Sequence, residues 1–84
     1  MTQFKVGDRV VATSSDICGL NLKGKVGTIV ETILLKSGIV YGLGVEFDNH
    51  IYGHSCNHSA KEGYGWYGAS RDFSLIHEKE IIDD

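Results

Sequence analysis

Short runs of alternating apolar and polar residues, separated by glycine-containing turns, dominate this chain. The pattern predicts strands at residues 9–13, 23–33 (after an initial turn) and 41–47. A hairpin turn is predicted at Lys36-Ser37-Gly38, between the second and third strands. The run after residue 64 predicts a short strand at 65–68, one helical turn at 69–72 and a last strand at 73–76.

Alternation within the third predicted strand assigns its faces. Two glycines at alternate positions of one face indicate strong bending or close packing of another strand. The expected core face is Tyr41, Leu43, Val45 and Phe47, with Gly42, Gly44 and Glu46 on the opposite face.

Five short strands without an amphipathic helix predict an all-β fold, a small five-stranded barrel or sandwich. The predicted domain spans residues 1–77, and residues 78–84 form an acidic C-terminal tail. With 84 residues the chain supports one small core, which is marginal unless a disulfide or a metal strengthens it.

Charge and hydropathy limit the classes of partner. The segment 77–84 holds four of the 11 acids and one of the 8 bases, which leaves seven of each in the rest. A neutral body argues against nucleic acid as the main ligand, whereas the tail is either a solvated terminus or part of a surface for a basic protein. No apolar run approaches bilayer-spanning length and no leader is evident, so we expect a cytoplasmic protein without a membrane partner.

A histidine- and cysteine-rich segment within residues 48–58 carries the most informative chemistry. In an extended segment, alternate residues such as His54, Cys56 and His58 face one point, and His50 or Asp48 would complete a tetrahedral shell. The sequence therefore predicts a zinc site in a long insertion loop before the fourth strand. The candidate ligands are Asp48, His50, His54, Cys56 and His58.

Other interpretations of the same residues stay open. The histidines are alternatively exposed members of a polar loop, and Cys56 with a histidine is a weaker candidate for nucleophilic catalysis. Apolar neighbours predict that Cys18 is a buried structural thiol, with a fourth-ligand role as the alternative. Trp66 is expected either to seal the core or to join Tyr52, Tyr64 and Tyr67 in an aromatic binding platform.

The order of several short motifs resembles SH3-like barrels of the KOW and Mib-Herc2 type. These motifs are a Val-Gly-Asp start, Gly-Lys-Val-Gly-Thr-Ile at residues 24–29, Gly-Val-Glu-Phe-Asp at 44–48 and Phe-Ser-Leu-Ile at 73–76. The resemblance implies a five-stranded SH3-like barrel with a short helical turn before the last strand.

A second resemblance covers the last third of the chain. Gly53-His54-Ser55-Cys56 followed by Lys-Glu-Gly-Tyr-Gly-Trp-Tyr at 61–67 is similar to a signature of small phage and prophage proteins. Ala60 and Tyr64 stand where that signature has a cysteine and a histidine. The resemblance implies a zinc-containing type II anti-CRISPR protein, an inhibitor of Cas9.

These observations favour a non-enzymatic, metal-stabilised protein-binding module. In this hypothesis a phage-encoded inhibitor competes with nucleic acid for the basic surface of Cas9 or another host nuclease. The expected partner-binding residues are Glu62, Tyr64, Glu78 and Glu80. The alternatives are a KOW-like module associated with RNA or the ribosome, and a small metal-dependent hydrolase with an open coordination position.

Overall fold

The computed structural model describes residues 4–76, which form a five-stranded antiparallel sheet. The order across the sheet is β4-β3-β2-β1-β5, and the all-β prediction is confirmed. The elements are β1 (Arg9–Ala12), β2 (Val26–Leu34), β3 (Val40–Phe47), β4 (Gly65–Ala69), a 3-10 helix (Ser70–Asp72) and β5 (Phe73–Leu75).

The predicted hairpin turn joins β2 to β3. Gly38 has a φ of +92°, in the left-handed region that glycine enters without steric cost. The Leu35 N–H donates to the Ile39 carbonyl at 2.8 Å and closes the turn. The short helical turn before the last strand is also present, as the 3-10 helix.

The core lies on the inner face of the sheet and confirms most of the assignment made for β3. Leu43, Val45 and Phe47 are buried, but the expectation for Tyr41 is wrong because this side chain is 49% exposed. Pairing between β3 and β4 begins at Gly42, so no strand covers Tyr41 on that side. The buried hydrophobic side chains include Val10, Ile17, Ile29, Leu43, Val45, Phe47, Ile51 and Phe73.

The two outer strands of the sheet, β4 and β5, approach each other. The three-residue 3-10 helix connects them directly. A Cβ on Gly68 of β4 would lie 2.9 Å from a ring carbon of Phe73 in β5. The Phe73 ring of β5 is therefore packed against the backbone of β4.

The predicted acidic tail at 78–84 lies outside the described residues, and so do Glu78 and Glu80. Within residues 4–76 no helix has the length and apolar character needed to cross a membrane.

Candidate functional site

The segment between β3 and β4, residues 48–64, is held to the body of the protein along its length. The N–H groups of Ile51 and Gly53 both donate to the Gly63 carbonyl, at 3.0 and 3.1 Å. Ile51 is 6% exposed and belongs to the core. At the base of the segment, the Phe47 N–H donates to the Tyr64 carbonyl at 2.8 Å. Backbone hydrogen bonds and an apolar anchor thus fix this excursion.

Asp48, the first candidate ligand, pairs with Arg9. The guanidinium donates to the two carboxylate oxygens at 2.7 and 2.8 Å, and also to the Thr28 hydroxyl at 3.0 Å. These hydrogen bonds hold the pKa of Asp48 below its ordinary value of 3.8. Its carboxylate therefore links the end of β3 to β1.

His54 is built into the edge of β4. Its backbone N–H donates to the Gly65 carbonyl at 2.9 Å, and its own carbonyl accepts the Gly65 N–H at 2.7 Å. Its ring stacks on Trp66 with centroids 4.9 Å apart, and its Nδ1 accepts the Cys56 N–H at 3.0 Å. The His54 imidazole thus contacts Trp66 with its ring face and accepts a backbone hydrogen bond at Nδ1.

Residues 56–58 form a left-handed turn, which differs from the extended segment that the alternate spacing predicted. The φ angles of Cys56, Asn57 and His58 are +47°, +57° and +73°. The Ser59 N–H closes the turn on the Cys56 carbonyl at 3.1 Å. The turn leaves Cys56 buried and His58 exposed, so these two candidate ligands lie in different environments.

The Cys56 sulfur fits against the backbone of Gly65. A Cβ at Gly65 would approach this sulfur to 2.9 Å. Burial, followed by the negative charge of Glu31, raises the pKa of the thiol to about 11, so Cys56 is a neutral core residue.

His50 is exposed and forms a group with the exposed Tyr52 and the half-buried Tyr64. Its ring makes edge contacts with Tyr52 and Tyr64, at centroid distances of 4.6 and 5.3 Å. Its Nδ1 accepts the Tyr52 N–H at 3.2 Å, and Tyr52 is 87% exposed. Lys61 Nζ lies over the Tyr64 ring, 4.9 Å from the centroid. We call His50, Tyr52 and Tyr64 the aromatic cluster.

The candidate ligands are distributed over separate surroundings rather than around one point. Across residues 4–76, no three His, Cys, Asp or Glu side chains form a group that could hold a metal ion. Asp48 binds Arg9, His50 lies in the aromatic cluster, and His54 stacks on Trp66. The zinc site stays a prediction from the sequence, and this arrangement does not fit it.

Cys18 is exposed, so the expectation of a buried thiol is wrong. It lies at the tip of a tight turn in which Ile17 and Leu20 exchange backbone hydrogen bonds of 2.8 and 3.1 Å. Ile17 takes the buried position instead. Trp66 is partly buried and packs against the core, in agreement with the core-sealing interpretation. Its indole N–H also donates to the Ile17 carbonyl at 2.6 Å.

Of the predicted partner-binding residues within 4–76, Glu62 is exposed and Tyr64 is half-buried in the aromatic cluster.

The sequence did not predict the hydrogen bond in which the Tyr67 hydroxyl donates to the Glu31 carboxylate at 2.6 Å. This hydrogen bond raises the pKa of Tyr67 to about 12. The available signal was Gly44, one of the two alternate glycines that indicate strong bending or close packing of another strand.

Comparison with known proteins adds no relative: no family model, no curated protein and no solved structure matches this chain.

Proposed function

We propose that this protein is a non-enzymatic protein-binding module that presents the aromatic cluster to a protein partner. The observation that carries the proposal is the state of Tyr52. The residue is 87% exposed, yet its ring contacts the ring of His50 and its backbone N–H donates to His50 Nδ1. Exposed aromatic side chains that are already ordered are favoured in interface hot spots, because little conformational entropy is lost on binding.

The surroundings of the cluster support a rigid surface. The Gly63 carbonyl accepts two N–H groups from residues 51 and 53, which lie on either side of Tyr52. Gly63 lies against the imidazole of His50, and a side chain at that position would clash with Nε2. Rigidity therefore comes from the backbone, and this proposal does not require a metal.

We further propose an SH3-like barrel as the scaffold. Four strand spacings of about 4.8 Å would separate the outer strands of a flat five-stranded sheet by roughly 19 Å. Four Cα–Cα steps of about 3.8 Å, which is the distance from Ala69 to Phe73 along the chain, reach at most ~15 Å. The short connection and the contact of Gly68 with Phe73 support a sheet that closes on itself.

Charge favours a basic partner. Glu62 is exposed and lies two residues before Tyr64, where its carboxylate is available to a guanidinium or ammonium group. Tyrosine faces also attract cations: Lys61 occupies the Tyr64 ring in this way, and the exposed Tyr52 is available to a cation of the partner. These features agree with the inhibitor role implied by the phage signature, in which the target is Cas9 or another enzyme with a nucleic-acid-binding surface.

Site-specific photo-cross-linking tests the proposed surface. A benzophenone amino acid replaces Tyr52 in one variant and Tyr41 in the other, and both are expressed in the native host. Tyr41 is a matched control because it is also an exposed tyrosine, but on β3. We expect a discrete cross-linked protein from position 52 and none from position 41. Equal products from both positions, or none from position 52, would overturn the proposal.

Purified Cas9 with and without its guide RNA tests the specific partner. We expect Tyr52→Ala to weaken binding by about 30-fold or more, because hot-spot truncations cost at least ~2 kcal/mol and each ~1.4 kcal/mol is a factor of ten. Tyr41→Ala should bind as the unmodified protein does. Absence of binding by the unmodified protein would remove Cas9 as the partner.

A further inference from the structure

Two histidines in the segment 48–64 form the same local hydrogen bond. Nδ1 of His50 accepts the backbone N–H of Tyr52 at 3.2 Å, and Nδ1 of His54 accepts the backbone N–H of Cys56 at 3.0 Å. In each case the donor lies two residues after the histidine and has a left-handed backbone, with φ of +63° at Tyr52 and +47° at Cys56. Non-glycine residues rarely adopt this conformation without a compensating contact.

A neutral imidazole accepts a hydrogen bond at Nδ1 in only one of its two tautomers. A neutral imidazole has one N–H and one nitrogen lone pair. Because a backbone N–H occupies Nδ1, the lone pair is used there and the ring proton is on Nε2. The arrangement is equivalent to an Asx turn, in which Oδ1 of an asparagine accepts the N–H two residues later. Nδ1 and Oδ1 are both bonded to Cγ, so the two side chains reach the same point.

We propose that His50 and His54 are turn-forming positioning residues in the Nε2–H tautomer rather than zinc ligands. Zinc bound at Nε2 would require the lone pair on that atom and a proton on Nδ1, directly facing the backbone N–H. In this fold the turn and zinc ligation therefore exclude each other at both histidines.

The turn at His50 positions Tyr52, the residue that we propose contacts the partner. It holds the backbone of Tyr52 in the left-handed region and keeps the ring in the aromatic cluster. This step rests on the proposed function, because only a partner that contacts Tyr52 detects a change in its position. The turn at His54 instead places Cys56 in the core.

Long-range ¹H–¹⁵N correlation spectra of the unmodified protein near neutral pH test the tautomers directly. We expect the Nε2–H pattern for His50 and His54. An Nδ1–H pattern at either residue would overturn its assignment as a turn acceptor. This measurement requires no variant and no partner.

Asparagine and glutamine substitutions distinguish a hydrogen-bond acceptor at the Nδ1 position from polar atoms at the Nε2 position. In His50→Asn the amide oxygen replaces Nδ1, whereas in His50→Gln the polar atoms lie near the position of Nε2. We expect the Tyr52 amide to keep its hydrogen-exchange protection in His50→Asn and to exchange about tenfold faster in His50→Gln, as for the loss of one hydrogen bond. The same contrast is expected at the Cys56 amide for His54→Asn and His54→Gln.

His58 supplies the matched control, since no hydrogen bond to its ring is present within the described residues. His58→Asn and His58→Gln should leave both protected amides unchanged. Equal exchange in the asparagine and glutamine variants at position 50 or 54 would overturn the proposal. Both amide exchange and tautomer state are independent of a partner, so failure of the turns is distinguishable from failure of Tyr52 to cross-link.

Discussion

The hydroxyl of Tyr67 in β4 donates a 2.6 Å hydrogen bond to Glu31 in β2 and crosses the intervening strand β3. Gly44 of β3 pairs with both residues in the sheet register. A Cβ at position 44 would lie 2.9 Å from a ring carbon of Tyr67 and 3.2 Å from Cβ of Glu31. The missing side chain of Gly44 is therefore what allows the tyrosine ring to reach across the sheet.

Tyr67→Phe should lower the free energy of unfolding by about 1–2 kcal/mol, because it removes a hydrogen bond to a carboxylate that is half-buried. Urea denaturation provides the measurement. Tyr41→Phe is the control, since its hydroxyl has no hydrogen bond among residues 4–76, and should change stability by less than ~0.5 kcal/mol. Equal effects of the two substitutions would contradict a stabilising role for the contact.

Gly44→Ala should lower the free energy of unfolding by roughly 1–3 kcal/mol, because the added methyl group displaces the Tyr67 ring. The cause is checked in a Tyr67→Ala background, where the ring is absent and the same substitution should cost less. A double-mutant cycle measures this coupling. Additive effects would show that the ring is not what makes Gly44 necessary.

The two thiols should differ strongly in reactivity. Cys18 is exposed, whereas Cys56 is buried with a pKa of about 11. With a disulfide reagent at pH 8 we expect one fast thiol and a second that reacts at least ~100-fold more slowly, since both access and the thiolate fraction are reduced. Cys18→Ser should abolish the fast phase. A fast phase that persists in this variant would show that Cys56 is accessible.

The pair of Arg9 and Asp48 predicts an acid-dependent contribution to stability. The folded-state pKa of Asp48 is below its ordinary 3.8, so the contribution is fully present above this value and is lost as the pH falls through the lower folded-state pKa. Both side chains are more than a third exposed, which limits the effect to less than ~1 kcal/mol. Asp48→Asn should flatten the stability profile below pH ~4, and an unchanged profile would contradict the assignment.

Metal content tests the zinc prediction against the turn-forming role of His50 and His54. We expect well below one zinc per chain in protein purified without chelators, with no fall in melting temperature when a chelator is added. A structural zinc site would instead give about one zinc per chain and a clear fall. In that case His50→Asn and His54→Asn should also lower the zinc content, whereas substitution of a non-ligand would not.

The sequence by itself determined the strands, the Lys36–Gly38 turn and the helical turn before β5, because each depends on local alternation and on residues suited to turns. It also indicated strong bending or close packing of another strand at Gly42 and Gly44, although the pattern along one strand does not identify the Tyr67 ring that lies beside Gly44. Leu43, Val45 and Phe47 were assigned correctly to the core because alternation is a property of the strand itself.

Only the tertiary structure decided the chemistry of the segment 48–64. The expected common face for His54, Cys56 and His58 assumed an extended backbone, and the left-handed turn at 56–58 removes that face. The expectation of a buried Cys18 failed for a similar reason: its neighbour Ile17 takes the buried position, where its carbonyl accepts the indole N–H of Trp66 from 49 residues away along the chain. Side-chain direction in an irregular segment depends on such distant contacts, which local residue spacing does not encode.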